Sequence, residues 1–117
     1  MAESILLSIK DALEISDDDK DFDGELIMDI NSAFLALNQL GVGPEKVFHI
    51  ENYDATWDDF LGEGITDAYA AKTVIALRVK LIFEASTLTS NVVSALKEQI
   101  HEMEWRLMAQ HDLAPAT

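Results

Sequence analysis

The chain of 117 residues has no cysteine, which excludes disulfides, thiolate metal sites and thiol nucleophiles and suits a reducing compartment. It also lacks any apolar run near the roughly 20 residues that span a bilayer. Met1 to Lys10 has neither the charged start nor the small-residue cleavage site of a signal peptide. The expectation is a soluble, unexported protein with no membrane partner. Basic charge is scarce: 8 Lys and Arg stand against 22 Asp and Glu, a net charge of −14. Because Lys and Arg supply most of the affinity for phosphates, this balance argues against a protein that grips nucleic acid.

Catalytic signatures are missing too. There is no Gly-x-Ser-x-Gly, no phosphate loop and no dinucleotide fingerprint. His49, His101 and His111 are scattered without metal-ligand spacing. Glu98 and His101 form one Glu-x-x-His pair, but a di-iron bundle needs a second such pair and facing carboxylates. Asp19, Asp21, Asp23 and Gly24 match the first half of a calcium loop, whose closing position is filled by Ile30 rather than a bidentate Glu. The reading is a chain with no enzymatic role, no cofactor and no metal.

What the chain does have is a strong division of charge. Residues 1–67 hold 17 acids and 3 bases, the whole net charge, whereas residues 68–117 hold 5 of each. The densest part runs from Asp17 to Asp29, where Asp17, Asp18, Asp19, Asp21 and Asp23 surround the single Lys20. Such a run reads either as a solvated loop and helix start or as a surface whose negative field has a task. That field reaches only about 8 to 10 Å at physiological salt, so anything it repels passes close by.

Apolar periodicity predicts an all-α bundle of four main helices within one domain of residues 1–111, followed by a flexible tail at 112–117. The first helix spans about Ser4 to Ile15, with Ser4 as N-cap and Ile5, Ile9, Ala12 and Leu13 on one side. A second, about Gly24 to Leu40, buries Leu26, Ile30, Ala33, Phe34, Leu37 and Leu40 and stops at Gly41. Met28 and Leu35 lie one above the other on its polar side, a candidate contact. Gly41 to Thr56 reads as a loop with a possible short extended piece, and Thr56 begins a single helical turn over Trp57 to Leu61. Trp57 and Phe60 are expected to pin that loop to the bundle.

The third long helix, about Thr66 to Ala85, is apolar nearly all round and must be surrounded, by its own bundle or by a neighbouring subunit. After a Ser/Thr-rich break, Val93, Leu96, Ile100, Met103 and Leu107 form a seam with alternating spacings of three and four. Trp105 and Met108 fall off that seam. With Arg106, Leu113, Met28 and Leu35 they are the candidate residues for an interface with another chain, against the plainer reading of ordinary structural positions.

Several segments in their order resemble the small head-tail connector (adaptor, or DNA-packaging) proteins of long-tailed phages and prophages, from about Ile5 to Leu107. They are Leu6-Leu7-Ser8-Ile9-Lys10, Asp29-Ile30-Asn31-Ser32-Ala33-Phe34 and Gln39-Leu40-Gly41-Val42-Gly43-Pro44. Ala55-Thr56-Trp57-Asp58-Asp59-Phe60-Leu61-Gly62, the helix Lys72 to Phe83, and Glu104-Trp105-Arg106-Leu107 complete the set. Relatives often have an Asp-Pro-Pro step between the last two helices where this chain has Glu84-Ala85-Ser86-Thr87, leaving the direction of the last helix open.

The resemblance implies a virion protein at the head-tail junction, assembled in the bacterial host cytoplasm as a ring with copies of itself. Its implied partners are the portal protein above and a tail or stopper protein below, with DNA passing through without specific binding. Asp17, Asp18, Asp19, Asp21 and Asp23 would then be the candidate acidic channel surface. Two other classes stay open on the residues alone: an acidic module or DNA mimic that sequesters a basic partner, and a metal-binding helical protein.

Overall fold

The computed structural model describes residues 3–42, 46–61 and 68–113. Its helices are α1 (Ile5–Ala12), α2 (Asp23–Gln39), α3 (Trp57–Leu61), α4 (Ala68–Phe83) and α5 (Ser90–Leu113). The fold is all-α, and among the described residues the sole β feature is an isolated antiparallel bridge between Ser4 and Thr56. No described helix is long and apolar enough to cross a membrane.

α4 is the axis of the bundle, packing against each of the other four helices. This answers why it is apolar nearly all round: Ala70, Ala71, Val74, Ile75 and Val79 are buried, and only near its end does Ile82 stand exposed. α5 lies along α4 through the expected seam, with Leu96, Ile100 and Leu107 buried and Val93 and Met103 half-buried. Arg78 Nε donates to Glu104 Oε2 at 2.7 Å across this contact. The link between α4 and α5 is a tight turn in which Thr87 N–H and Oγ1 both donate to the Glu84 carbonyl. Thr89 then caps α5, its Oγ1 accepting from Val92 N–H at 3.3 Å. α5 continues through Leu113, two residues beyond the expected end of the helical domain.

Local chemistry explains most boundaries. Ser4 Oγ accepts from Leu7 N–H, capping α1 as expected. Thr56 and Asp59 cap α3 reciprocally: Asp59 N–H donates to Thr56 Oγ1 and Thr56 N–H to Asp59 Oδ2. α2 ends in a Schellman motif, with Gly41 in the left-handed region at φ 82° and Val42 N–H donating to the Leu37 carbonyl. α1 ends sooner than Ile15 through the same motif built on a non-glycine: Glu14 adopts φ 62° and Ile15 N–H donates to the Lys10 carbonyl.

One expectation is corrected. Ala12 is exposed and Leu6 is fully buried, because the arc of α1 that faces the core contains Ile5, Leu6, Ile9, Lys10 and Leu13. The segment 47–50 forms no strand; instead the Asn31 side-chain amide pairs with Ile50, donating to its carbonyl at 3.0 Å and accepting from its N–H at 2.8 Å. A side chain on α2 thus does for the loop what a strand partner does in a ladder. Aromatics add to this at Phe48 and at α3: Phe34 meets Phe48, Trp57 and Phe60 at centroid distances of 5.1, 6.5 and 4.5 Å.

Candidate functional site: an acidic turn on a buried lysine and two exposed apolar spots

Lys10 is the residue that the sequence reading missed. Its side chain is fully buried, and every acceptor it needs comes from the acidic turn and the loop opposite. Nζ donates to the Asp19 carbonyl at 2.7 Å, the Tyr53 hydroxyl at 2.9 Å and Asp23 Oδ1 at 3.0 Å, with a longer contact of 3.4 Å to the Asp17 carbonyl. Tyr53 donates in turn to Asp23 Oδ2. The Tyr53 ring also receives the Lys20 ammonium at 4.1 Å from its centroid.

These contacts settle the charge states. Burial opposes the charge on Lys10, yet its hydrogen bonds to Tyr53 and Asp23 and the Asp23 charge outweigh that and raise its pKa. Burial likewise opposes ionisation of Asp23, but hydrogen bonds from Tyr53 and Lys10 and the lysine charge win and lower its pKa. The pair is ionic at neutral pH.

The consequence for the acidic turn is directional. A buried ammonium draws the carbonyl oxygens of Asp17 and Asp19 inward, and the side chains of Asp17, Asp18 and Asp21 are left exposed. Asp19 is half-buried, its Oδ1 accepting from Asp21 N–H. Asp23 belongs to the interior network rather than to the open surface. Of the residues in the half-match to a calcium loop, Asp23 gives a carboxylate oxygen and Asp19 a backbone carbonyl to the Lys10 ammonium, while the Asp21 side chain is exposed. Among the described residues no group of three His, Cys, Asp or Glu is placed to hold a metal ion.

One acid on α2 has no such support. Asp29 Oδ2 is buried and finds no hydrogen-bond partner, and burial together with the nearby Glu25 charge raises the Asp29 pKa. A carboxylate whose folded pKa is raised costs stability that builds up as pH rises from its unfolded to its folded value, is complete above the folded value, and is absent below the unfolded one. Asp29→Asn is therefore expected to raise the thermal midpoint at pH 7, and to do so less as pH falls through the aspartate range. Melting curves against pH check this; a lower midpoint at neutral pH would contradict it.

The candidate interface residues lie in two places. On α2, Met28 and Leu35 are 71% and 46% exposed, on the side away from the buried stripe. On α5, Trp105 and Met108 are 69% and 37% exposed, and Arg106 is exposed beside its ion-pair partner Glu102 at 2.8 Å. Leu113 is the last residue of α5, and its side chain lies outside the described ones. The spacing of the helical residues was enough to find these four exposed apolar side chains; Phe22, Val47, Ile82 and Val92 are exposed as well and were not among the candidates. Lys10 had a signal as well, a lone base continuing the Leu6 to Leu13 arc just before seven acids.

The family described as phage connector protein matches the chain over residues 5–114. No curated protein matches the chain at a significant level. No solved structure does so either. The match spans nearly the whole sequence, so the chain belongs to the phage connector family, whose members are structural components of the phage particle rather than catalysts.

Proposed function

We propose that this phage connector protein is a ring-forming adaptor subunit between portal and tail or stopper, and that its ring prolongs the DNA channel. The observation that carries the reading is the acidic turn, whose exposed Asp17, Asp18 and Asp21 are presented outward by a backbone anchored on Lys10. Repeated around an axis, these carboxylates line the lumen and face a duplex that carries one negative charge per roughly 1.7 Å of its axis. Like charge on both sides keeps the DNA from adhering, so it slides during packaging and ejection. The short range of the field at physiological salt confines the effect to the bore. Contacts to the portal fall to the last helix and its tail.

The test is electron microscopy of intact particles and of particles whose Asp17, Asp18 and Asp21 are all changed to Asn. The expected result is a ring of this chain at the neck with the turn facing the lumen, and variant particles that assemble but release DNA more slowly. A neck without this chain, or a turn facing away from the axis, overturns the reading.

A further inference from the structure

We propose that copies of this chain contact one another head to tail, the outer face of α2 around Met28 and Leu35 seating on the outer face of α5 around Trp105 and Met108 in the next copy. The inference rests on the ring-forming reading and names the surface that builds the ring.

The argument begins with where the two spots lie. α4 packs against both α2 and α5, and each apolar spot points away from the helix side that α4 buries. Neither spot can cover the other within one chain. Met28 and Leu35 are seven residues apart, hence on one line of α2, while Trp105 and Met108 are three apart on α5. Trp and Met are among the residue types enriched in interfaces, and Trp is prominent among hot spots.

Charge then selects the pairing. The α2 spot belongs to the part of the chain that holds the whole net charge of −14, with exposed Asp21 and Glu25 on its approach. Setting α2 against α2 would oppose acid with acid. The α5 spot belongs to the part with equal numbers of acids and bases, and around it exposed Lys97 and Arg106 balance exposed Glu98 and Glu102, Arg106 pairing with Glu102, so this face adds no net negative charge of its own. An α5-on-α5 contact escapes the repulsion but leaves Met28 and Leu35 bare and stops at a dimer. Of these three pairings only α2 on α5 covers both spots, and a contact between two different patches repeats from copy to copy, the kind of contact that a ring of more than two copies requires.

The native chain has no cysteine, so introduced thiols report the contact without background. The probe is oxidative cross-linking of Met28→Cys and Met108→Cys chains, separately, mixed, and as the double variant, in purified protein at rising concentration and in assembled particles. The expected result is a two-chain product only in the mixture and a ladder of covalent multimers from the double variant. Trp105→Ala, tested alone, is expected to weaken self-association at least about tenfold while leaving helicity and thermal midpoint unchanged. Dimers from either single variant alone, or a purified chain that stays monomeric throughout, overturn the inference. A neck ring that is present but gives no Met28→Cys to Met108→Cys product overturns this surface and leaves the adaptor reading standing; a neck without the chain overturns that reading as well.

Discussion

Lys10→Met is expected to cost about 3 to 5 kcal/mol of folding stability, the usual range for removing one partner of a buried ion pair. Methionine keeps most of the length and removes the charge, so packing is disturbed little and the loss is electrostatic. The Asp17 and Asp19 carbonyls lose their donor, and Asp23 keeps the Tyr53 hydrogen bond and the more distant Lys20 charge. Since folded domains retain roughly 5 to 15 kcal/mol in total, a loss of this size approaches unfolding at 37 °C. Urea titration followed by circular dichroism measures it, and a loss below about 1 kcal/mol would mean that the network contributes little.

The pH dependence has a definite sign. The lowered pKa of Asp23 gives a contribution present above the ordinary aspartate range and lost as pH falls through the folded value. The raised pKa of Lys10 gives one present throughout the neutral range and lost only as pH rises through the folded lysine value. The gap between wild type and Lys10→Met is thus widest between those limits and narrows on acidification. Changing Asp23 to Asn in the same chain should cost less than the sum of the two single changes, by about 0.5 to 3 kcal/mol.

Lys10 also shows where reading the sequence stops. Periodicity is a local property: it placed the stripes of α2 and α5, and it put Met28, Leu35, Trp105 and Met108 outside them, where the structure has them exposed. The near-continuous apolar surface of α4 implied a surrounded helix, and α4 is the bundle's axis. Local hydrogen-bonding chemistry was equally legible at Ser4, Thr56 and Gly41. The burial of Lys10 is different, because it depends on oxygens seven to forty-three positions away arriving together. A lysine in a short amphipathic helix looks solvated until the fold brings those partners. Asn31 escaped for the same reason, its partner Ile50 being nineteen residues on. The acidic turn was located by density alone, whereas the separation of exposed Asp17, Asp18 and Asp21 from interior Asp23 required the lysine's position.

Phe34→Ala is expected to have a comparable effect, about 3 to 5 kcal/mol, for a wholly buried aromatic that cannot be replaced by collapse of its neighbours. Phe34 is 1% exposed and touches Phe48, Trp57 and Phe60, so its removal takes away one side of each aromatic contact as well as apolar area. Phe34→Leu should cost less, since it retains most of the volume. Trp57 is buried and Trp105 exposed, so in a Trp105→Phe background the emission of Trp57 reports directly whether the loop stays seated. The same loop holds Tyr53, which completes the cage around Lys10. Loosening the loop in Phe34→Ala therefore weakens the lysine network from a distance, and the double variant with Lys10→Met should lose less than the sum of the single losses. Strict additivity would show instead that Asn31 and the Ser4 to Thr56 bridge alone keep Tyr53 in place.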